Sequence, residues 1–286
     1  MNYPELNRGD KGDAVRELQT HLNKVGAMLV VDGDFGSGTE RGVRYAQDII
    51  GRLSTGTVDD ELWQWLESQP DPCPELATNG VAFIAKEETG GLAYYHAVTR
   101  WPHFPGLASG ITIGVGYDLR FNSEDDFRML WGDRLPDNML DELAKDIGKP
   151  GSKKRVKELK KMDFEIPFKF AWPVFVEGTL PRFYQETQMI YPSLDGLPAL
   201  CRSALVSIVF NRGNSLKGPR RREMREIRNI LAQADNPALH KLKRKMILTD
   251  VEDQILSMQR LWGPSSGLHK RRQAEANLWR NGLDPW

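Results

Sequence analysis

Apolar residues recur at helical spacing through the first part of the chain. Val15, Leu18 and Leu22 form one stripe, Val43, Ala46 and Ile50 a second, and Leu62, Trp63 and Leu66 a third. That three- and four-residue spacing predicts three short amphipathic helices. Asp10 stands before the first run as a candidate N-cap, and Gly26 follows it as a stop. Between the first two helices lies Val31-Asp32-Gly33-Asp34-Phe35-Gly36-Ser37-Gly38-Thr39. Its glycines admit positive φ, Phe35 is the apolar anchor, and Thr39 is a candidate cap for the next helix. The pattern breaks at Ser68-Gln69-Pro70-Asp71-Pro72-Cys73-Pro74. Prolines at this density exclude a helix interior and favour a stiff, extended connection. The expected division is a domain over 1–67, a proline-rich linker over 68–79 and a larger domain over 80–286.

Past the linker, residues 81–88 read as a helix that stops at Gly90-Gly91. Glu88 continues the apolar stripe of Val81, Ile84 and Ala85, whereas Glu87 follows Phe83 and Ile84, so periodicity alone does not choose between the two. A carboxyl at the end of such a stripe is partly withdrawn from water, which favours its protonated form. A glycosidase general acid needs that form; two solvated charges at a helix end are the plainer alternative. Residues 111–119 alternate as a strand, with Ile111, Ile113, Val115 and Tyr117 on the core face. Thr112, Gly114, Gly116 and Asp118 fall on the other face, where the glycines leave room for a ligand near the backbone. An ordinary glycine-rich hairpin is the competing interpretation. No Asp or Glu occurs from Thr89 to Ile111, so Asp118 is the simplest partner for Glu88 in a two-carboxylate site. A straight strand would hold Thr112 and Asp118 about 20 Å apart. Sharing one water therefore requires a bend, which Gly114 and Gly116 permit.

Ala199 to Phe210 is strongly apolar and ends in Asn211-Arg212-Gly213. Asn211 is a candidate for hydrogen bonding to substrate or to Glu88, or else the polar end of a buried helix. Among Tyr94, Tyr95, Trp101 and Phe104, one sugar-stacking residue is expected.

The whole chain of 286 residues has no net charge, yet residues 1–70 hold 7 Lys/Arg against 12 Asp/Glu. The remainder carries the balancing positive excess, which suggests domains with different partners. The basic runs at 217–228 and 270–272 are interspersed with Glu at helical spacing, so they read as solvated faces and not as a nucleic-acid surface. Cys73 and Cys201 are too far apart for a disulfide framework or a zinc motif, and the 5 histidines form no metal-binding pair. No apolar run approaches the length of a membrane span. The opening residues MNYPELNRGDKGDA lack the basic start and apolar core of a secretory signal.

Two resemblances add to these observations. Leu6, Gly9-Asp10, Gly12, Val15, Leu18-Gln19, Leu22, Gly26, the DGDFG at 32–36, Thr39, Val43, Gln47, Gly51, Gly56, Val58-Asp59 and Leu62-Trp63 resemble the three-helix peptidoglycan-binding module. One departure is Tyr45-Ala46-Gln47, where the family has an aromatic directly before the Gln. The resemblance implies wall contacts from groups near Asp32, Asp34, Phe35 and Gln47. The stretch Glu88 to Tyr95, Trp101-Pro102, Pro105-Gly106 and SGITIGVGYDL at 109–119 resembles the pesticin-type phage lysozymes, relatives of the family 24 lysozymes. Later matches run through Phe210-Asn211-Arg212-Gly213 and Gly267 to Ala276.

Together they imply a modular phage-type endolysin. Its fold would be mostly α: an α+β lysozyme-like domain with a small β-hairpin lobe, plus the three-helix domain. Its activity would be a muramidase cutting the β-1,4 bond between N-acetylmuramic acid and N-acetylglucosamine. Glu88, preferred over Glu87 for its spacing to Tyr94-Tyr95, would be the general acid, with Thr112 and Asp118 as its partners. Tyr95, Gly114, Gly116 and Asn211 would meet substrate. No metal or organic cofactor is implied. The partner would be peptidoglycan, with no nucleic acid, no stable membrane insertion and a monomeric chain. The protein would be made in the host cytoplasm and reach the wall after holin-type release. The rivals are a lytic transglycosylase on the same bond and a non-catalytic wall-binding protein.

Overall fold

The computed structural model describes residues 3–106 and 108–286. The fold is mostly helical, with a two-stranded antiparallel sheet among the described residues. Its contacts divide the chain into two compact units. One joins Met1–Pro72 to Ala85–Pro181, and the other joins Cys73–Ile84 to Arg182–Trp286.

In the first unit, α1 (Asp13–Lys24), α2 (Ser37–Ile49) and α3 (Asp60–Ser68) follow the three apolar stripes. Val15, Leu18, Leu22, Phe35, Val43, Leu62 and Trp63 close over one another with no exposed surface. Both expected N-caps are corrected. Gly12 caps α1, while Asp10 instead accepts a bond from Asn7 N in the preceding turn. Helix α2 starts at Ser37, so Thr39 lies inside its first turn. The Thr39 hydroxyl meets the buried amide of Gln19 at 3.1 Å. Helix α3 is capped by Asp59, which accepts from Leu62 N and is held by a two-pronged Arg52 contact.

Helix α4 (Thr78–Thr89) begins before the expected residue 81 and ends at two glycines with left-handed φ, Gly90 and Gly91. A short helix α5 (Leu92–Tyr94) runs into a wider π turn over Tyr95–Thr99. The hairpin β1 (Thr112–Ile113) and β2 (Tyr117–Asp118) follows. Then come α6 (Glu124–Trp131), α7 (Asp137–Ala144), α8 (Lys153–Lys160) and α9 (Phe168–Val174). Ser123 and Ser152 cap α6 and α8. Arg155 grips Asp146 through two nitrogens and reaches Glu142, fixing α8 against the end of α7.

Helix α10 (Leu180–Ile190) leads into the second unit, with α11 (Ala199–Arg212), α12 (Arg222–Ala234), α13 (Lys241–Ser257) and α14 (Gly267–Leu283). Helix α11 is the apolar centre, and α14 packs along it. Close approach is secured where Gly282 leaves room for Leu200 and Cys201. A polar cluster lies within this core: the fully buried Glu275 accepts from Ser207, Arg271 and Arg272. Both cysteines are free and buried. Among the described residues, no helix is long and apolar enough to cross a membrane.

Candidate active site

The strand expected over 111–119 is instead a tight hairpin. Ile113 pairs with Tyr117 and Thr112 with Asp118, and Gly114-Val115-Gly116 turns the chain between them. Gly114 and Gly116 both take left-handed φ, at 55° and 68°, a conformation that opposes any side chain. The bend thus removes the separation a straight strand would impose. The main chain of Thr112 is bonded outward to His103, N to O at 2.8 Å and O from N at 3.0 Å. Thr112 and Asp118 therefore oppose each other as a pair without mutual backbone bonds. In such pairs the Cα atoms are about 4.5 Å apart and the side chains share one face.

The Asp118 carboxylate is pinned by the main chain. Gly110 N donates to both oxygens, at 2.9 and 3.0 Å, and Arg120 N donates to Oδ1 at 2.9 Å. Two N–H donors leave part of the acceptor capacity of a carboxylate unused. Beside it, Thr112 is 5% exposed, and its Oγ1 finds no hydrogen-bonding partner among the described residues. A buried hydroxyl without a partner is uncommon and marks a place for a further polar group. His103, adjoining Thr112 through the bridge, was not singled out by sequence. Burial pushes its imidazole below the ordinary range, while the Trp101 carbonyl and the Asp118 charge pull the other way. No spacing in the sequence announces it. Gly110 was equally hidden within the SGIT stretch.

Glu88 sits one residue before the end of α4, half-buried, as is Glu87, so burial does not separate them. Behind Glu88, the Thr89 hydroxyl donates to Ala85 O at 2.8 Å and accepts from Gly91 N at 3.2 Å, locking the helix end. Glu88, Thr112 and Asp118 belong to the same compact unit.

Several expected contact residues have other employment. Tyr95 is fully buried, donates its hydroxyl to Ile166 O at 2.9 Å and packs edge-on against Phe168; it is core and does not face a sugar. A side chain at Gly114 would meet Trp131 and Ala171, so its missing side chain makes room for packing and not for a ligand. Asn211 is half-buried, and its Oδ1 accepts from Arg272 at 3.3 Å within the polar cluster of the second unit. In the N-terminal helices, Phe35 is wholly buried. Gln47 is 2% exposed and spends its amide on Thr55 Oγ1, Thr57 O and Gly56 N. Both are scaffold and not ligand contacts. Asp32 and Asp34 remain at the surface. Asp32 accepts from Gln19 and Asp34 N, the latter bond foremost in holding its carboxyl below the usual range. Asp34 pairs with Lys11 at 2.9 Å.

Residues 11–66 match the family model described as "Putative peptidoglycan binding domain". The chain carries a peptidoglycan-binding domain, then, across its first three helices. Among curated proteins, none matches the chain. Among solved structures, the chain is similar to the crystal structure of a Burkholderia AP3 phage endolysin. The identity is 14% and the TM-score 0.23, over 99% of this chain and 98% of that one.

Proposed function

We propose that this protein is a wall-bound muramidase of the endolysin kind, hydrolysing the β-1,4 bond from N-acetylmuramic acid to N-acetylglucosamine. The observation that carries the reading is the pairing of Thr112 with Asp118 across the hairpin. It sets a partly engaged carboxylate beside a buried hydroxyl that has no partner among the described residues. Such a pair is suited to gripping one water between an acceptor and a hydroxyl. In this mechanism Glu88 gives its proton to the departing glycosidic oxygen. Positive charge develops at the anomeric carbon, and the Asp118 carboxylate stabilises it. Asp118 accepts a proton from the water as its oxygen attacks, and Thr112 fixes the direction of attack. Attack by water from the face opposite the leaving group inverts the anomeric centre. Peptidoglycan as the ligand is supported by the N-terminal domain.

The test is mass spectrometry of fragments released from purified peptidoglycan. Fragments ending in reducing N-acetylmuramic acid are expected, and Glu88→Gln should abolish their release while the protein stays folded. Anhydro ends would indicate a transglycosylase, and cut peptides on intact glycan would overturn the reading.

A further inference from the structure

Next to the C-terminal end of α4 lies a cavity of about 320 Å³ within the first unit. One wall comes from the α1–α2 connection, including Asp32, Asp34 and Gly36, and from Arg41 on α2. The other comes from Lys86 on α4 and the turn at Gly90-Gly91. The two walls are tied together by Met28, which adopts a left-handed φ of 55° and whose Sδ lies 3.2 Å from the Thr89 hydroxyl oxygen.

The charges in this cavity are unequal in their commitments. Asp34 has Lys11, and Asp32 has the Gln19 amide and a backbone N–H. Arg41 and Lys86 form no ion pair among the described residues. Arg41 does act on His96, but only to push its imidazole in the same direction as burial does. The lining includes no aromatic side chain, while Met28, Leu29 and Leu92 supply an apolar floor. Sugar rings are held by stacking on aromatic faces and by neutral hydrogen bonds. A cavity with an open cation on each wall, acids on one of them and an apolar floor suits a short zwitterionic peptide instead.

We propose that this cavity binds the peptide branch of peptidoglycan, a carboxylate lying against Arg41 and Lys86 and an ammonium against Asp32 and Asp34. The site is composite: the wall-binding helices supply one side, and the helix that carries Glu88 supplies the other. Binding of the branch would thus hold its own glycan strand next to the end of α4. The proposal rests on peptidoglycan being the ligand and not on glycan cleavage.

The probe is the soluble tetrapeptide L-Ala-γ-D-Glu-meso-diaminopimelate-D-Ala, titrated calorimetrically into the full chain. Saturable binding is expected, weakened by about tenfold or more in the Arg41→Gln/Lys86→Gln double variant and by amidation of the peptide's carboxylates. Gly36→Phe offers a second, charge-free block. Gly36 has φ −85°, and a Cβ there meets nothing within 4 Å, so a ring can enter the cavity without backbone strain. It too should abolish tetrapeptide binding. Unchanged affinity in both variants overturns the proposal, as does a chain that binds peptide-free glycan but not the tetrapeptide. Fragment analysis of the wild type reports separately. Tetrapeptide binding with uncut glycan would sink the muramidase reading alone, and cut glycan without tetrapeptide binding would sink this proposal alone.

Discussion

Thr112→Val exchanges a hydroxyl for a methyl of nearly equal size at a position only 5% exposed. The Oγ1 it removes has no hydrogen-bonding partner among the described residues. In the proposed site this hydroxyl holds a water, and one such bond contributes about 0.5–1.5 kcal/mol. Valine loses that bond but keeps the shape and suits a strand. The variant's stability should therefore stay within about 1 kcal/mol. For a unit of this size that is a Tm shift of at most about 4 °C. Catalysis should change far more. A water held by Asp118 alone loses its fixed angle of attack, and misplacement of a reacting group is worth on the order of a hundredfold in rate. The decisive measurement is paired: Tm by calorimetry, and kcat and KM for fragment release from peptidoglycan. A Tm within about 4 °C of the wild type, with a depressed kcat and an unmoved KM, is the expected result. Activity retained within about twofold would remove Thr112 from the mechanism. A variant destabilised by more than about 1 kcal/mol would instead show that the hydroxyl serves the fold.

Gly110→Ala places a Cβ against Asp118 Oδ1, 2.5 Å from Arg120 Cβ and 2.7 Å from Arg120 N. It should cost about 2–4 kcal/mol through the displaced carboxylate bonds, read as a lowered urea midpoint. Gly263→Ala, whose Cβ meets nothing within 4 Å, should stay within about 0.5 kcal/mol. Gln47→Ala removes three bonds to residues 55–57 and should cost about 2–4 kcal/mol. Wall binding per folded molecule should remain, and a selective loss of binding would restore Gln47 as a ligand contact. Finally, His21, His96 and His103 all have imidazoles held below the ordinary range, first by burial. As pH falls through about 6.5, the unfolded chain takes up protons that the folded chain refuses. Their stabilising effect is therefore complete above that pH and declines below it. Tm should fall between about pH 7.5 and 5.5, and a flat profile would contradict the depression of these imidazoles.

The apolar stripes made the N-terminal helices legible, because an amphipathic helix buries residues chosen by its own local period. The hairpin was half legible. Alternation put Ile111, Ile113, Val115 and Tyr117 inside, as they are, but a period-two pattern is the same in a straight strand and a folded one. Only the left-handed Gly114 and Gly116 decide between them. The fate of Tyr95 was illegible, because its partners Ile166 and Phe168 lie some seventy positions on. Asn211 is similar: its partner Arg272 is 61 residues away. Gln47 was misread for a subtler reason. A polar side chain near a motif looks like a ligand contact until the loop it supports, at residues 55–57, is folded back onto it. The prolines at 70–74 straddle one division of the contacts, between Pro72 and Cys73, but the grouping of Ala85–Pro181 with the first unit leaves no compositional trace.

That grouping also bears on the order of events during synthesis. Cys73–Ile84 completes its contacts with Arg182–Trp286, so Val81, Ala82 and Ile84, which end wholly buried, leave the ribosome long before their neighbours. The whole of Ala85–Pro181 is made in between, a delay on the order of ten seconds at ordinary elongation rates. Through that interval the first turns of α4 are an unshielded apolar surface on a nascent chain, the kind that chaperones recognise and that aggregates when crowded. Residues beyond 181 thus decide when residues 73–84 find their place, and a message cut short there is felt near residue 80 as much as at the break.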